Sequence, residues 1–169
     1  TKKDYFNIIG MKTGALFAAA TELSAYISGV SPEVRAAMKD FGMKLGTAYQ
    51  IYDDCLDLVG TEEQFGKTLR TDLEKGKLTL PMLYLLEEAG DTQREILQKR
   101  IIQQEELDLT VLAGIAEYQG AIARSLQYAT DLLQEARDSL SLVNPSAYRD
   151  ALAEMLDFLL TLLGSLQKA

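Results

Sequence analysis

At 169 residues, 47% hydrophobic and 25% charged, the chain has enough apolar matter for one domain with a sizeable core, and no apolar run approaches the ~18 residues of a membrane span. A formal net charge of −8 argues against nucleic acid or an anionic membrane surface as the main partner. With no histidine and a single cysteine, Cys55, the chain excludes His-based triads, His-ligated zinc and an internal disulfide; the lone thiol suits a reducing, cytoplasmic setting.

No secretory leader is expected, because the opening residues lack a charged stretch followed by a clean apolar core and cleavage site. The first residue is Thr1 rather than Met, so the gene is not expected to start here. The first predicted helix runs from about Asp4 to Ser28. It carries Lys12 and Thr13 among Gly10, Gly14, Ala15, Ala18, Ala19 and Ala20, small residues that suit close packing against a neighbouring helix. Ser31 followed by Pro32 reads as an N-cap and first turn, opening a second helix to about Leu58.

On that second helix Gln50, Asp53, Asp54 and Asp57 fall within an arc of about 100°. Gly46 lies one turn below on the same side and admits a close neighbour. Ile51, Tyr52, Cys55 and Leu56 occupy the other sides, ready to pack. A long segment from Gly60 to Leu78 follows, rich in Gly, Thr and charge, of the kind that compact domains keep for function or leave disordered.

Further helices are predicted over Leu80 to Glu88, with Pro81 in the first turn after Thr79, and over Thr92 to Gln103, where Thr92 and Glu95 have capping-box spacing. Two more run from Thr110 to Ser139 and from Pro145 to Leu166, the latter opened by Asn144 and Pro145 and carrying a buried stripe that includes Leu152, Leu156, Leu159 and Leu163. No segment alternates with period two. The expected fold is therefore all-α, an antiparallel helical bundle.

Three aspartates on one face repel one another, and Asp is a poor residue for a helix interior. A hard divalent cation, Mg²⁺, would relieve that repulsion, since carboxylate oxygens are its preferred ligands. The plain alternative is a solvated acidic face. In the following loop Lys67, Arg70, Asp72, Lys75 and Lys77 cluster, with glycine immediately before Lys67 and Lys77, so that the backbone can bend and project an ammonium toward phosphate. Here too the alternative is simple solvation. Taken together, acids for Mg²⁺, lysines for diphosphate and apolar helices for a hydrocarbon form the set needed to break a carbon to diphosphate bond while keeping water from the cation.

Three stretches carry a resemblance: YFNIIGMKTGALFAAATELSA from Tyr5, GMKLGTAYQIYDDCLDLVG from Gly42, and FGKTLRTDLEKGKLTLPMLYLL from Phe65. In this order they resemble the Lys-Thr helix, the second aspartate-rich motif and the following loop of the trans-type isoprenyl diphosphate synthases, the polyprenyl synthetase family. The resemblance implies an isoprenoid-synthase-type helical fold and a Mg²⁺-dependent condensation of an allylic diphosphate with isopentenyl diphosphate. It implies that Asp53, Asp54 and Asp57 ligate Mg²⁺, Asp53 most directly, and that Lys12, Lys67 and Lys77 contact the diphosphate. Thr13 and Gln50 would line the reacting centre, and Asp72 would support the loop. Tyr49 stands where the family commonly has Phe before the Gln.

The family's first aspartate-rich motif and its isopentenyl-binding Gly-Lys and Arg set belong upstream of the Lys-Thr helix. DDCLD, from Asp53 to Asp57, is the one such motif here. Residues 1–169 are therefore expected to form a single helical domain corresponding to the carboxy-terminal half of a synthase, inactive or nearly so alone. The alternatives are a non-catalytic or split-site interaction subunit of a heteromeric synthase, and a bundle whose acidic cluster is purely structural. Apolar faces left uncovered would favour a homo-oligomer or a partner supplying the other half.

Overall fold

The computed structural model describes residues 1–60, 72, 75–103, 105, 107 and 109–167. Local signals set most helix boundaries. Thr1 caps α1 (Lys2–Ile9) in a reciprocal box with Asp4. A π-helical turn, Gly10–Gly14, leads into α2 (Ala15–Ile27). Ser31 accepts from the Val34 N–H at 3.4 Å and Pro32 fills the first turn of α3 (Pro32–Val59), 28 residues long. α4 (Leu80–Glu88) begins after extended Thr79, as predicted. α5 (Asp91–Gln103), α6 (Leu109–Ile115), α7 (Gln119–Ser139), a 3₁₀ turn (Leu140–Leu142) and α8 (Ala147–Leu166) complete the order, and the described residues contain no strand.

Four expectations need correcting, each for a local reason. The first helix is not uniform: its buried positions run Tyr5, Ile9, Gly14, Ala18, Ala25, and the five-residue step from Ile9 to Gly14 is taken up by the π turn, which keeps both halves facing α3. The predicted helix from Thr110 to Ser139 breaks between α6 and α7, where the Glu117 carboxylate accepts from the N–H groups of Gln119 and Gly120 at 2.6 and 3.2 Å. Thr92 lies inside α5 rather than capping it; Gln93 instead accepts from the Gly90 N–H at 3.1 Å.

The fourth concerns α8, whose cap is Ser146 and not Asn144: the Ser146 hydroxyl accepts from the Arg149 N–H at 3.2 Å. Ser146→Ala should accordingly cost about 1 kcal/mol in a urea melt, against a few tenths for Asn144→Ala. Equal costs would return the cap to the earlier residue.

α3 is the central element, packed against α2 on one side and α7 on the other, with α8 against α3 and α7 and α4 against α7. Phe41, Ala48, Ile51 and Cys55 on α3 are fully buried. α2 and α3 approach so closely because glycines face one another: a Cβ on Gly46 would lie 2.9 Å from the Gly14 Cα, and one on Gly42 would lie 2.4 Å from the Phe17 carbonyl oxygen. Thr21 bridges the pair by donating to the Met38 carbonyl at 2.6 Å. On the outer side of the π turn and α2, Met11, Leu16, Leu23, Tyr26 and Ile27 are all exposed, as is Ile8 of α1. Among the described residues no helix is long and apolar enough to cross a membrane.

Candidate functional site

The acidic face of α3 is half of the site and the π turn supplies the other half. By bulging the backbone at Gly10–Gly14, the turn sets Thr13 opposite Gln50, and the Thr13 hydroxyl donates to Gln50 Oε1 at 2.6 Å. That bond orients the amide, leaving Gln50 Nε2 to donate to Asp54 Oδ1 one helical turn on, at 2.9 Å. The second oxygen of Asp54 accepts from the Tyr5 hydroxyl at 2.7 Å. Gln50 and Asp54 are each 6% exposed.

The described part of the loop is tied to the same helix. The Asp72 N–H donates to Asp57 Oδ2 at 3.0 Å, and the Lys77 ammonium pairs with the Asp72 carboxylate while its N–H donates to the Asp72 carbonyl at 2.9 Å. Gly76 turns the chain between them with φ of +63°, a conformation that favours glycine. Asp72 thus holds Lys77 in place through both its side chain and its backbone.

A cavity of about 440 Å³ opens here; Tyr5, Lys12, Gln50, Asp54, Asp72 and Lys77 lie on its polar wall, together with Thr1, Asp4 and Thr79 at the rim of α1 and α4, and Ile8, Ile9, Leu78 and Leu83 form its apolar one. Of the residues named from sequence, Lys12, Gln50, Asp54, Asp72 and Lys77 line this one space. Thr13 joins through Gln50, and Asp57, buried, through the Asp72 backbone. Asp53 is half-buried beside Asp54 on α3 and is not part of the cavity wall. Lys67 lies outside the described residues.

Burial pushes the Asp54 carboxyl up to about 6, the Tyr5 and Gln50 hydrogen bonds hold it down, and the nearby charges of Asp72 and Asp53 push it further up. Both side chains that hydrogen-bond to it are neutral, and the Lys77 ammonium also acts on its charge. The hydrogen bond to Asp72 raises the Lys77 ammonium above its ordinary range, so it stays charged. Among the described residues, no three His, Cys, Asp or Glu side chains gather closely enough to cage a metal. The donor set nevertheless fits Mg²⁺ in kind, since that ion is usually held by one or two carboxylates together with phosphate oxygens.

Tyr5 is the site residue that the sequence reading did not single out. Its signal was weak but present: a buried tyrosine hydroxyl needs a partner, and Tyr5 belongs to the stripe of α1 that faces α3.

The chain is 38% identical over 160 residues to a short chain isoprenyl diphosphate synthase from Methanothermobacter thermautotrophicus, covering 95% of this chain and 49% of that protein. Its fold is similar to a decaprenyl diphosphate synthase from Rhodobacter capsulatus, with a TM-score of 0.85 at 29% identity over 95% of this chain and 50% of that one. It is also similar to a geranylgeranyl pyrophosphate synthase from Corynebacterium glutamicum, solved with calcium and isoprenyl diphosphate, with a TM-score of 0.77 at 28% identity, 94% of this chain and 50% of that one. The chain spans about half the length of the curated relatives it matches. With the polyprenyl synthetase family model matching residues 1–118, a span that holds the Lys-Thr turn, the acidic face and the lysine loop, the chain belongs to the polyprenyl synthetase family.

Proposed function

We propose that this chain supplies the allylic diphosphate site of a Mg²⁺-dependent prenyltransferase that joins an allylic diphosphate to isopentenyl diphosphate, and that residues 1–169 correspond to the carboxy-terminal half of such a synthase, inactive alone. The observation that carries it is the convergence of Lys12, Gln50, Asp54, Asp72 and Lys77 on one cavity with an apolar wall. Asp53 and Asp54, with Asp57 behind them, would hold the metal. Bound there, Mg²⁺ would neutralise charge on the leaving diphosphate. Lys12, Lys77 and Lys67 meet diphosphate oxygens as point charges.

Thr13 gives its hydroxyl proton to Gln50, so its lone pairs stay available to an allylic cation. Ile8, Ile9, Leu78 and Leu83 keep water from that cation. The relative solved with calcium and isoprenyl diphosphate supports pairing a hard divalent cation with a diphosphate.

The exposed apolar side chains along α1 and α2 support a second feature: association with another copy or with a chain that completes the site, the split-site subunit arrangement. The buried free thiol of Cys55 supports a cytoplasmic location.

Calorimetric titration of the chain with farnesyl diphosphate tests the proposal. Mg²⁺ should tighten binding by at least about tenfold. Binding that is absent, or indifferent to Mg²⁺, overturns the diphosphate site. Turnover of both substrates at an ordinary enzymatic rate overturns the half-synthase assignment.

A further inference from the structure

One side chain on the polar wall of this cavity, Tyr5, is given no role by the motif residues. Tyr5, on α1, is 7% exposed, and its hydroxyl reaches 49 residues along the chain to Asp54 Oδ2 at 2.7 Å. From the other side the Thr13 hydroxyl donates to Gln50 Oε1 at 2.6 Å and Gln50 Nε2 donates to Asp54 Oδ1 at 2.9 Å, so donors converge on the Asp54 carboxylate from both sides.

A carboxylate with one donor on each oxygen cannot swing without losing one of them. A glutamine amide with its oxygen on a hydroxyl and its nitrogen on that carboxylate cannot reverse. Take away the Tyr5 hydroxyl, and Asp54 Oδ2 loses this donor, so that the carboxylate can turn toward the Lys77 ammonium on the cavity wall.

We propose that Tyr5 is a positioning residue of this site: its hydroxyl aims the Asp54 carboxylate, and through Gln50 the Thr13 oxygen, at the diphosphate cavity. The proposal rests on the reading of that cavity as a diphosphate site. It assigns Tyr5 more than a packing role, because the ring alone would fill the same space in phenylalanine.

Tyr5→Phe removes the one oxygen at issue. Two measurements on the whole chain separate the roles. In the ¹⁵N-labelled chain without ligand, the Gln50 side-chain amide signals should shift and exchange faster in Tyr5→Phe. With Mg²⁺, farnesyl diphosphate affinity should fall about tenfold, and Tyr5→Phe should add nothing further once Asp54→Asn is present. Unmoved Gln50 signals, or the same loss of affinity in both backgrounds, overturn the proposal.

Should the unmodified chain show no Mg²⁺-dependent binding, the diphosphate reading fails by itself and the Gln50 signals decide the link from Tyr5: movement supports it, none overturns it. Should Tyr5→Phe not fold, 3-fluorotyrosine at position 5 keeps the hydroxyl. Its fluorine resonance must then move on Asp54→Asn, and a signal indifferent to that substitution overturns the proposal.

Discussion

Gly42→Ala is expected to lower the stability of the chain by roughly 2 kcal/mol, even though alanine is the better helix former. A Cβ at this position of α3 would lie 2.4 Å from the Phe17 carbonyl oxygen, 2.7 Å from its carbon and 2.3 Å from Thr21 Oγ1. Neither neighbour can give way cheaply. The carbonyl is α2 backbone, and the Thr21 hydroxyl is engaged with the Met38 carbonyl at 2.6 Å. The helices must separate instead, and the cost of overpacking, about 1–3 kcal/mol and sometimes more, exceeds the ~1 kcal/mol gained in helix propensity.

Separation would also loosen the contact between Gly46 and Gly14, and with it the Thr13 to Gln50 bond that orients the site. Gly164→Ala on α8 supplies the opposite sign: a Cβ there meets nothing within 4 Å, so stability should rise by up to ~1 kcal/mol. Urea melts of the two variants measure both effects, and a gain of stability in Gly42→Ala would mean that α2 and α3 do not approach as closely as described.

A second expected result is that the metal-free chain loses stability as pH rises from about 4 to about 6, through Asp54. Its carboxyl moves from an ordinary 3.8 to about 6, chiefly because it is buried. Below the lower value it is protonated both folded and unfolded, and contributes nothing. Between the two values the folded state holds the proton and the unfolded state does not, so raising the pH disfavours folding. Above the upper value the full cost of a buried charge remains, roughly 3 kcal/mol.

Other carboxylates titrate too: Asp4, Glu33 and Glu87 are held below their ordinary range and act in the opposite sense at lower pH. The difference between the chain and Asp54→Asn, taken across pH 4 to 7 in the presence of a chelator, isolates the Asp54 contribution. A difference that does not vary with pH would mean that Asp54 is adequately solvated or paired. The cost has a functional sense under the proposed reading, since a cation at this position would remove it and so bind more tightly.

Much of this protein is legible in its sequence. The all-helical class, the start of α3 at Ser31 and Pro32, the bounds of α4, and the placement of Gln50, Asp54 and Asp57 on one side of α3 follow from periodicity, capping and proline placement. These are interactions within a turn or two of one helix, and the chain expresses them before it folds on itself. Gly46, read as a point of close approach, was legible as such, but its partner was not: it is Gly14, on another helix.

Tertiary contact decided the rest. The π turn exists because two halves of one helix must both face α3, a demand that local propensity does not contain. Asn144 and Ser146 are both acceptable caps by residue type, and the path of the chain into α8 selected Ser146. The site itself was assembled across gaps of 49, 37 and 15 residues, between Tyr5 and Asp54, Thr13 and Gln50, and Asp72 and Asp57. The order of residues sets which chemical groups this protein carries and along which helices. Which of them touch was decided only when α1, the π turn and the loop closed on α3, because a hydrogen bond between distant residues forms only where packing brings donor and acceptor within 3 Å of each other.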